Sequence, residues 1–281
     1  MGTLFVCGTP IGNLEDITLR VLRILKEVDF IACEDTRHSL KLLNHYDIHK
    51  PLVAYHHHNR FEKTSILLDR IQNGENMAYI SDAGMPCISD PGELLVREAN
   101  IRKIDVQIIP GPSAFITGLV YSGFSSDKFL FYGFLSSKNS ERKKELSKLK
   151  SENNTIIFYE APHRFLKTIK CIGEIFSNRK IAVCRELTKR YEELFVGNSD
   201  EILNHFSDGI KGEIVILIEK KDEETIKLEK DERLKNISPI EEMKKLIIAG
   251  LSEKEAMKQI AKEREMKKNE IYKLWVEEKE K

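Results

Sequence analysis

The chain opens Thr3-Leu4-Phe5-Val6-Cys7-Gly8-Thr9-Pro10-Ile11-Gly12-Asn13, a short apolar run that breaks into a turn rich in glycine and proline. A run of this length closed by turn formers reads as a buried strand, and the helical periodicity over residues 17–28 makes it the first unit of a βα alternation. In that helix Leu19, Val21, Leu22 and Leu25 are expected to face inward. The pattern repeats. Residues 29–33 read as a strand and 36–45 as a helix; 60–73 read as a helix with Ile66, Leu67, Arg70 and Ile71 at helical spacing, stopped by Gly74. Residues 77–80 and 106–109 are further strands, each leaving through a glycine- and proline-containing loop before a helix. Such alternation requires a mostly parallel sheet covered on both faces by helices.

Beyond about residue 122 the grammar changes. Five strand candidates, at 129–134, 155–159, 181–184, 193–196 and 213–218, are separated by only three helices, at 140–150, 162–176 and 199–206. Short connections favour antiparallel pairing, so a second α/β domain with a mixed sheet is expected. Residues 220–235, KKDEETIKLEKDERLK, read as a solvated charged linker. Residues 239–249, 253–263 and 269–278 read as the helices of a small helix-turn-helix-like unit, with Ser252 and Glu255 spaced as a capping box. The expected layout is an N-terminal α/β domain over 1–120, a second α/β domain over 121–220, a linker over 221–237 and a helical domain over 238–281.

At roughly 150 residues per domain, 281 residues allow about two domains, and a 41% hydrophobic content suffices for their cores. The 45 Lys and Arg cancel the 45 Asp and Glu, which excludes a wholesale polycation and leaves any nucleic-acid contact to local patches. No apolar run approaches the ~20 residues of a membrane-spanning helix, and the first residues carry no leader pattern. Five dispersed cysteines without a CxxC pair argue against a disulfide framework and against structural zinc. A cytoplasmic protein is expected.

Four loops follow strand ends, where open α/β sheets bind ligands. Residues 8–13 match neither the GxGxxG nor the P-loop pattern. In residues 81–92, Asp82 and the turn's backbone N–H groups suit the charged ends of an amino-acid-like ligand. Pro110-Gly111-Pro112-Ser113-Ala114 starts a helix with small residues that leave room for a flat group. Tyr159-Glu160-Ala161-Pro162-His163-Arg164 is again strand, turn, helix. Each alone is an ordinary turn; together, in this order, they form a signature.

The segments GTPIGNLEDIT (8–18), CEDTR (33–37), YISDAGMPCISDPG (79–92), PGPSA (110–114) and FYEAPHR (158–164) resemble the tetrapyrrole-methylase-like superfamily. Within it they are most similar to the branch that methylates the ribose 2′-oxygen of a cytidine in small-subunit (16S) ribosomal RNA. The resemblance covers nearly the whole chain and implies a two-domain α/β homodimer that binds S-adenosylmethionine, without a metal, in the cleft between the domains. By motif, Pro10, Ile11, Ser81, Asp82, Met85, Ser113, Ala114 and Glu160 would lie against the cofactor, with Leu187 and Glu213 closing its adenosine side. One departure is visible: His57 stands where the family usually has a carboxylate, in the pattern His-Glu-His-Asn.

Methyl transfer from a sulfonium asks a protein chiefly to align the acceptor oxygen, and removal of the hydroxyl proton helps. The base candidates are Glu34, Asp35 and His163, with Asp35 favoured as base or orienter. Arg37, His56, His58, Asn59 and Arg164 are candidate substrate contacts, Arg37 for a phosphate. A salt-bridge cluster among Glu34, Asp35 and Arg37, and helix capping by His163 and Arg164, would explain the same residues without any substrate. Adjacent histidines rarely face one ion, so residues 56–58 do not read as a metal site. Basic stretches at 142–150, 185–190 and 254–268 are candidate RNA contacts, each interleaved with glutamate. Two other functions stay open at this point: a corrin-type small-molecule methylase, and a non-catalytic RNA-binding assembly factor on the same scaffold.

Overall fold

A computed structural model describes residues 1–222, 224–227, 234 and 236–279. The chain divides into two compact units, Met1–Lys220 and Lys221–Lys281. Unit one holds two five-stranded sheets. The first is built from β1 (Thr3–Cys7), β2 (Phe30–Cys33), β3 (Leu52–Ala54), β4 (Met77–Ile80) and β5 (Asp105–Ile109), in the order β3-β2-β4-β1-β5. All its pairings are parallel. Alternate side chains go to opposite faces: Ile31, Cys33, Ala78 and Ile80 pack with α1 (Leu19–Glu27) and α2 (Thr36–His45). Phe30, Ala32, Met77 and Tyr79 pack with α3 (Arg60–Gln72) and α4 (Gly92–Ile101). Burial on both faces is what the continuous apolar runs require.

Strand order reverses around β4 and β1, because the chain steps from β1 past β4 to β2 and later from β4 past β1 to β5. Loops leaving the carboxyl ends of these two strands therefore border a crevice. Thr9 and Gly84 tie the two loops by reciprocal backbone hydrogen bonds of 2.9 and 3.1 Å.

The first sheet departs from expectation in three places. β3 is three half-buried residues after Pro51, too short to show a period. A 3-10 turn, Leu14–Asp16, precedes α1, and the Thr18 hydroxyl accepts from the Val21 N–H at 3.1 Å, so the helix starts at Leu19. Leu19 is then 86% exposed, and Val21, Ile24 and Leu25 carry the buried face. On α3, similarly, Ile66 is exposed while Leu67, Leu68 and Ile71 are buried.

The second sheet contains β6 (Phe129–Phe134), β7 (Thr155–Glu160), β8 (Ile181–Arg185), β9 (Glu193–Gly197) and β10 (Ile214–Ile218), ordered β6-β7-β10-β8-β9. Only β6 and β7 run parallel, so the sheet is mixed. One face packs on α6 (Asn139–Lys148), α7 (Phe165–Ile175) and α8 (Ser199–His205). The other, with Ile157, Ala182, Cys184, Val215 and Leu217, receives Leu119 of α5 (Ala114–Ser122) and Ile11 from the β1 loop. α5 thus follows a strand of the first sheet but buries itself on the second, and a cleft lies between the two sheets.

Unit two packs α9 (Pro239–Ile248), α10 (Glu253–Glu263) and α11 (Lys268–Lys279) around Met243, Ala256, Ile260, Ile271 and Trp275. Capping boxes open α9 at Ser238 and Glu241 and α10 at Ser252 and Glu255. Residues 223, 228–233 and 235 of the expected linker lie outside the described residues. No helix among the described residues is long and apolar enough to cross a membrane.

Candidate active site

Loops from the carboxyl ends of the first sheet meet β7, β10 and the turn after β8 around a pocket of ≈ 300 Å³. Of the ten residues expected to hold a cofactor, nine line it: Ile11, Ser81, Asp82, Met85, Ser113, Ala114, Glu160, Leu187 and Glu213. Pro10 does not. The loops converge because glycine permits it: an added Cβ on Gly8 would sit 2.7 Å from Gly111 Cα, and one on Gly111 would sit 2.9 Å from the Gly8 carbonyl carbon. Asp90 organises the long loop after β4, accepting from the Cys87 N–H at 2.6 Å, the Gly92 N–H at 2.7 Å and the Tyr79 hydroxyl at 3.0 Å. Between those anchors Cys87 and Ser89 take left-handed backbone, φ 70° and 63°, so the turn is held under strain at the pocket wall. The sequence reading passed over Asp90, although its Ser-Asp-Pro-Gly setting is the signal of a side-chain-braced turn.

The pocket wall carries five carboxylates, Glu34, Asp82, Asp90, Glu160 and Glu213, and no lysine, arginine or histidine. Two of the five are neutralised from behind. Glu160 is buried and accepts from the Ala161 N–H at 2.7 Å, the Thr168 hydroxyl at 2.5 Å and the Arg164 guanidinium. Glu213 pairs with Lys189 at 2.9 Å. Among the described residues Glu34, Asp82 and Asp90 form no ion pair. Burial, then the charges of Asp82 and Asp90, push the Glu34 carboxyl above the usual carboxylate range. Burial likewise raises Asp90, against the pull of its hydrogen bonds.

Asp35 is placed otherwise. It caps α2, with Oδ1 accepting from the Arg37 N–H at 2.8 Å and the carboxylate pairing with the Arg37 guanidinium at 2.9 Å. Hydrogen bonds from the Arg37 side chain and backbone hold its pKa down at about 2. Its own N–H donates to Asp82 Oδ1 at 3.1 Å. Asp35 does not line the pocket, and its link to Asp82 is made by the backbone N–H alone.

The expected substrate contacts are dispersed. Arg164 is committed to Glu160, its side chain 14% exposed, and His163 lies exposed on the 3-10 turn Pro162–Arg164, off the pocket wall. The Arg37 side chain is 88% exposed. Asn59 folds the loop after β3, accepting from the His56 N–H at 2.9 Å and donating to the Ala54 carbonyl at 3.0 Å. The His56 and His58 rings stand edge to face 5.9 Å apart, and neither lines the pocket. Much of the basic character noted in the sequence is used internally. Arg142 is buried, Lys143 pairs with Glu174 at 2.7 Å, Arg185 pairs with Glu193, and Lys189 bridges Glu186 and Glu213. Burial pushes the Cys7 and Cys184 thiols up to about 12, which removes them as nucleophiles.

The family described as Tetrapyrrole (Corrin/Porphyrin) Methylases matches residues 3–203. A ribosomal RNA small subunit methyltransferase I from Halalkalibacterium halodurans is 43% identical over 279 residues, 99% of this chain and 96% of that relative. One of the same name from Thermotoga maritima is 44% identical over 223 residues, 79% of this chain and 100% of the relative. Among solved structures, a uroporphyrin-III C-methyltransferase from Thermus thermophilus complexed with S-adenyl homocysteine superposes with a TM-score of 0.56 at 15% identity. That superposition covers 81% of this chain and 100% of the other, and it shows likeness of fold alone.

Proposed function

Because the chain belongs to the tetrapyrrole methylase family and, within it, to the ribosomal RNA small subunit methyltransferase I group, we propose that it methylates the 2′-oxygen of a cytidine ribose in small-subunit (16S) ribosomal RNA, with S-adenosylmethionine as donor. The observation that carries the reading is the acidity of the pocket. Three carboxylates face it without a counter-charge while its other walls are largely apolar or small, among them Ile11, Met85, Ala114 and Leu187. Anions crowded in this way favour a ligand that brings positive charge together with flat apolar surface. S-adenosylmethionine has a sulfonium, an ammonium and an adenine ring, and it fits those walls. When bound, it supplies a methyl carbon already activated by positive sulfur, and no metal is needed.

The chain's own residues then bind, orient and move a proton. Glu34 is the base in this reading: it lines the pocket, and its raised pKa brings it nearer the pH at which a base works best. Asp35 holds Asp82 in place, and Arg37, exposed beside the same strand end, meets a phosphate of the RNA. The acidic wall turns phosphates away, so only the nucleoside enters. Apolar side chains left exposed on the edge strands, Ile108 on β5 and Phe129 on β6, together with Val120 on α5, suit a homodimer interface. The setting is cytoplasmic.

The test is methyl transfer from labelled S-adenosylmethionine to small ribosomal subunits that lack the modification, followed by nucleoside mass spectrometry. A single 2′-O-methylcytidine is the expected product. Tight binding of the donor with no transfer to RNA would overturn the acceptor, and transfer to a corrin would replace it.

A further inference from the structure

Strand β6 carries one residue more than β7 can pair. Phe131 stands opposite Ile157 and Gly133 opposite Phe158, with Tyr132 as the extra residue of a β-bulge between them. Gly133 takes left-handed backbone there, φ 82°. Strict alternation would send Phe134 to the face of Tyr132, whose ring meets Phe158 on the helix-packed side, centroids 5.7 Å apart. The bulge turns it instead to the face of Tyr159, its partner in the ladder, and there it lines the pocket. Bulges beside functional sites re-aim side chains, and the one re-aimed here is a phenylalanine left 53% exposed.

The ring is braced from the protein side. Tyr159 stands tilted against it with centroids 5.5 Å apart, and the guanidinium of the largely buried Arg164 lies 6.0 Å from its centroid. Beside it runs the loop after β4: a Cβ on Gly133 would come 3.4 Å from Ser89 Oγ. That loop holds Ile88, 41% exposed, between the left-handed Cys87 and Ser89. Among the described residues, Phe134 and Ile88 are the large apolar side chains of the pocket wall that stay exposed, whereas Ile11, Leu187, Ile214 and Val215 are buried.

The position selects the ligand. Asp90 shares a loop with Ile88, and its charge, with that of Asp82, acts on Glu34, so the ring stands at the Glu34 end of the pocket. The adenosine side expected at Leu187 follows β8, three strands from β6 and roughly 14 Å away by the usual strand spacing. An adenine there does not reach Phe134. The pocket wall has no cation for a phosphate, so the group that meets the ring is flat and uncharged.

We infer that Phe134 is the platform on which the base of the target nucleoside stacks once it leaves the RNA, with Ile88 extending the apolar surface, and that this contact sets the ribose before Glu34. This rests on the proposed function and adds to it the residue that positions the acceptor. An aromatic face takes any base, so the contact places the nucleoside without choosing among bases.

The experiment compares reconstituted small subunits carrying either cytidine or an abasic ribose at the target position, both of which keep the 2′-hydroxyl. The full chain, Phe134→Ala, Phe134→Leu and Phe134→Tyr are assayed, with donor affinity and thermal unfolding measured alongside. The unmodified enzyme should favour the cytidine subunit in kcat/KM, and Phe134→Ala should shrink that preference by roughly fivefold to a hundredfold, the range of one base–aromatic stack, with donor affinity unchanged. Phe134→Tyr should keep most of the preference. Phe134→Leu, which has apolar bulk but no ring face, should lose most of it and reads the same contact where Phe134→Ala does not fold. A preference that survives intact in either of these two variants overturns the inference. Weakened donor binding with equal slowing on both subunits overturns it too, because the ring would then serve the donor. An unmodified enzyme that methylates both subunits equally overturns it while leaving the proposed function standing; one with no transfer to the cytidine subunit overturns the proposed function itself.

Discussion

Glu34 and Asp35 leave β2 side by side, yet burial with Asp82 and Asp90 raises one carboxyl while Arg37 and the helix cap hold the other at about 2. Glu34→Gln should therefore lower kcat by about 10²–10⁴-fold, the usual contribution of a general base, and Asp35→Asn by much less, because the bond to Asp82 comes from the backbone N–H and survives the change. Pulse-labelled single turnovers on small subunits measure both. The pH dependence follows in sign. Glu34 accepts a proton only when ionised, so the rate falls on the acid side as it protonates, and its raised pKa sets that limb above the ordinary carboxylate range. Asp82→Asn removes a like charge, lowers the Glu34 pKa and should carry the limb to lower pH at saturating donor. A limb that stays put would assign the titration to another group. Sequence reading placed both acids at a strand end, and the Asp-Thr-Arg run that caps α2 was legible. What buries Glu34 was not, because Asp82 and Asp90 arrive from another loop after two intervening βα units.

At the scale of elements, the strand-and-loop grammar was readable wherever runs were long enough to show a period. β4, β6 and β10 stand within a residue of expectation, whereas β3 has only three residues. The side on which α5 packs was not readable, since its exposed Val120 and Tyr121 make it apolar nearly all round. The turn from β7 into α7 was readable as a motif but not as a network. Glu160 is fully buried and Arg164 nearly so, which makes their pair part of the fold as well as of the pocket. Breaking one half of a buried pair strands the other charge, so Glu160→Gln should cost about 3–5 kcal/mol in urea unfolding. Glu160→Gln with Arg164→Met removes both charges and should recover much of that loss. If the double variant regains stability but not donor affinity, Glu160 also touches the donor; recovery of both would confine it to the scaffold. Gly111→Ala probes the same cleft from the opposite side. Its Cβ would meet the Gly8 backbone, so the two loops must part, and calorimetry should find weaker donor binding.

For the whole molecule, the neutral net charge conceals a division of labour: acids gather at the pocket while many basic side chains of unit one pair within the protein. Unit two differs. Lys254, Lys258 and Lys262 lie exposed four residues apart along α10, a row of like charges that would gain from an outside anion. Yet the Thermotoga maritima relative is matched over its whole length by 223 residues of this chain, close to the 220 of unit one. Unit two also has its own core around Trp275. The chemistry should therefore reside entirely in unit one. A chain ending at Lys220 should bind S-adenosylmethionine as tightly as the full chain and keep its kcat on small subunits, while any anion contact made by α10 is lost as a higher KM. That KM should also depend less on salt, because fewer counterions are released when fewer lysines meet phosphate. Loss of donor binding in a truncated chain that still melts cooperatively would mean that unit two helps build the pocket, and the separation of chemistry from RNA contact would have to be given up.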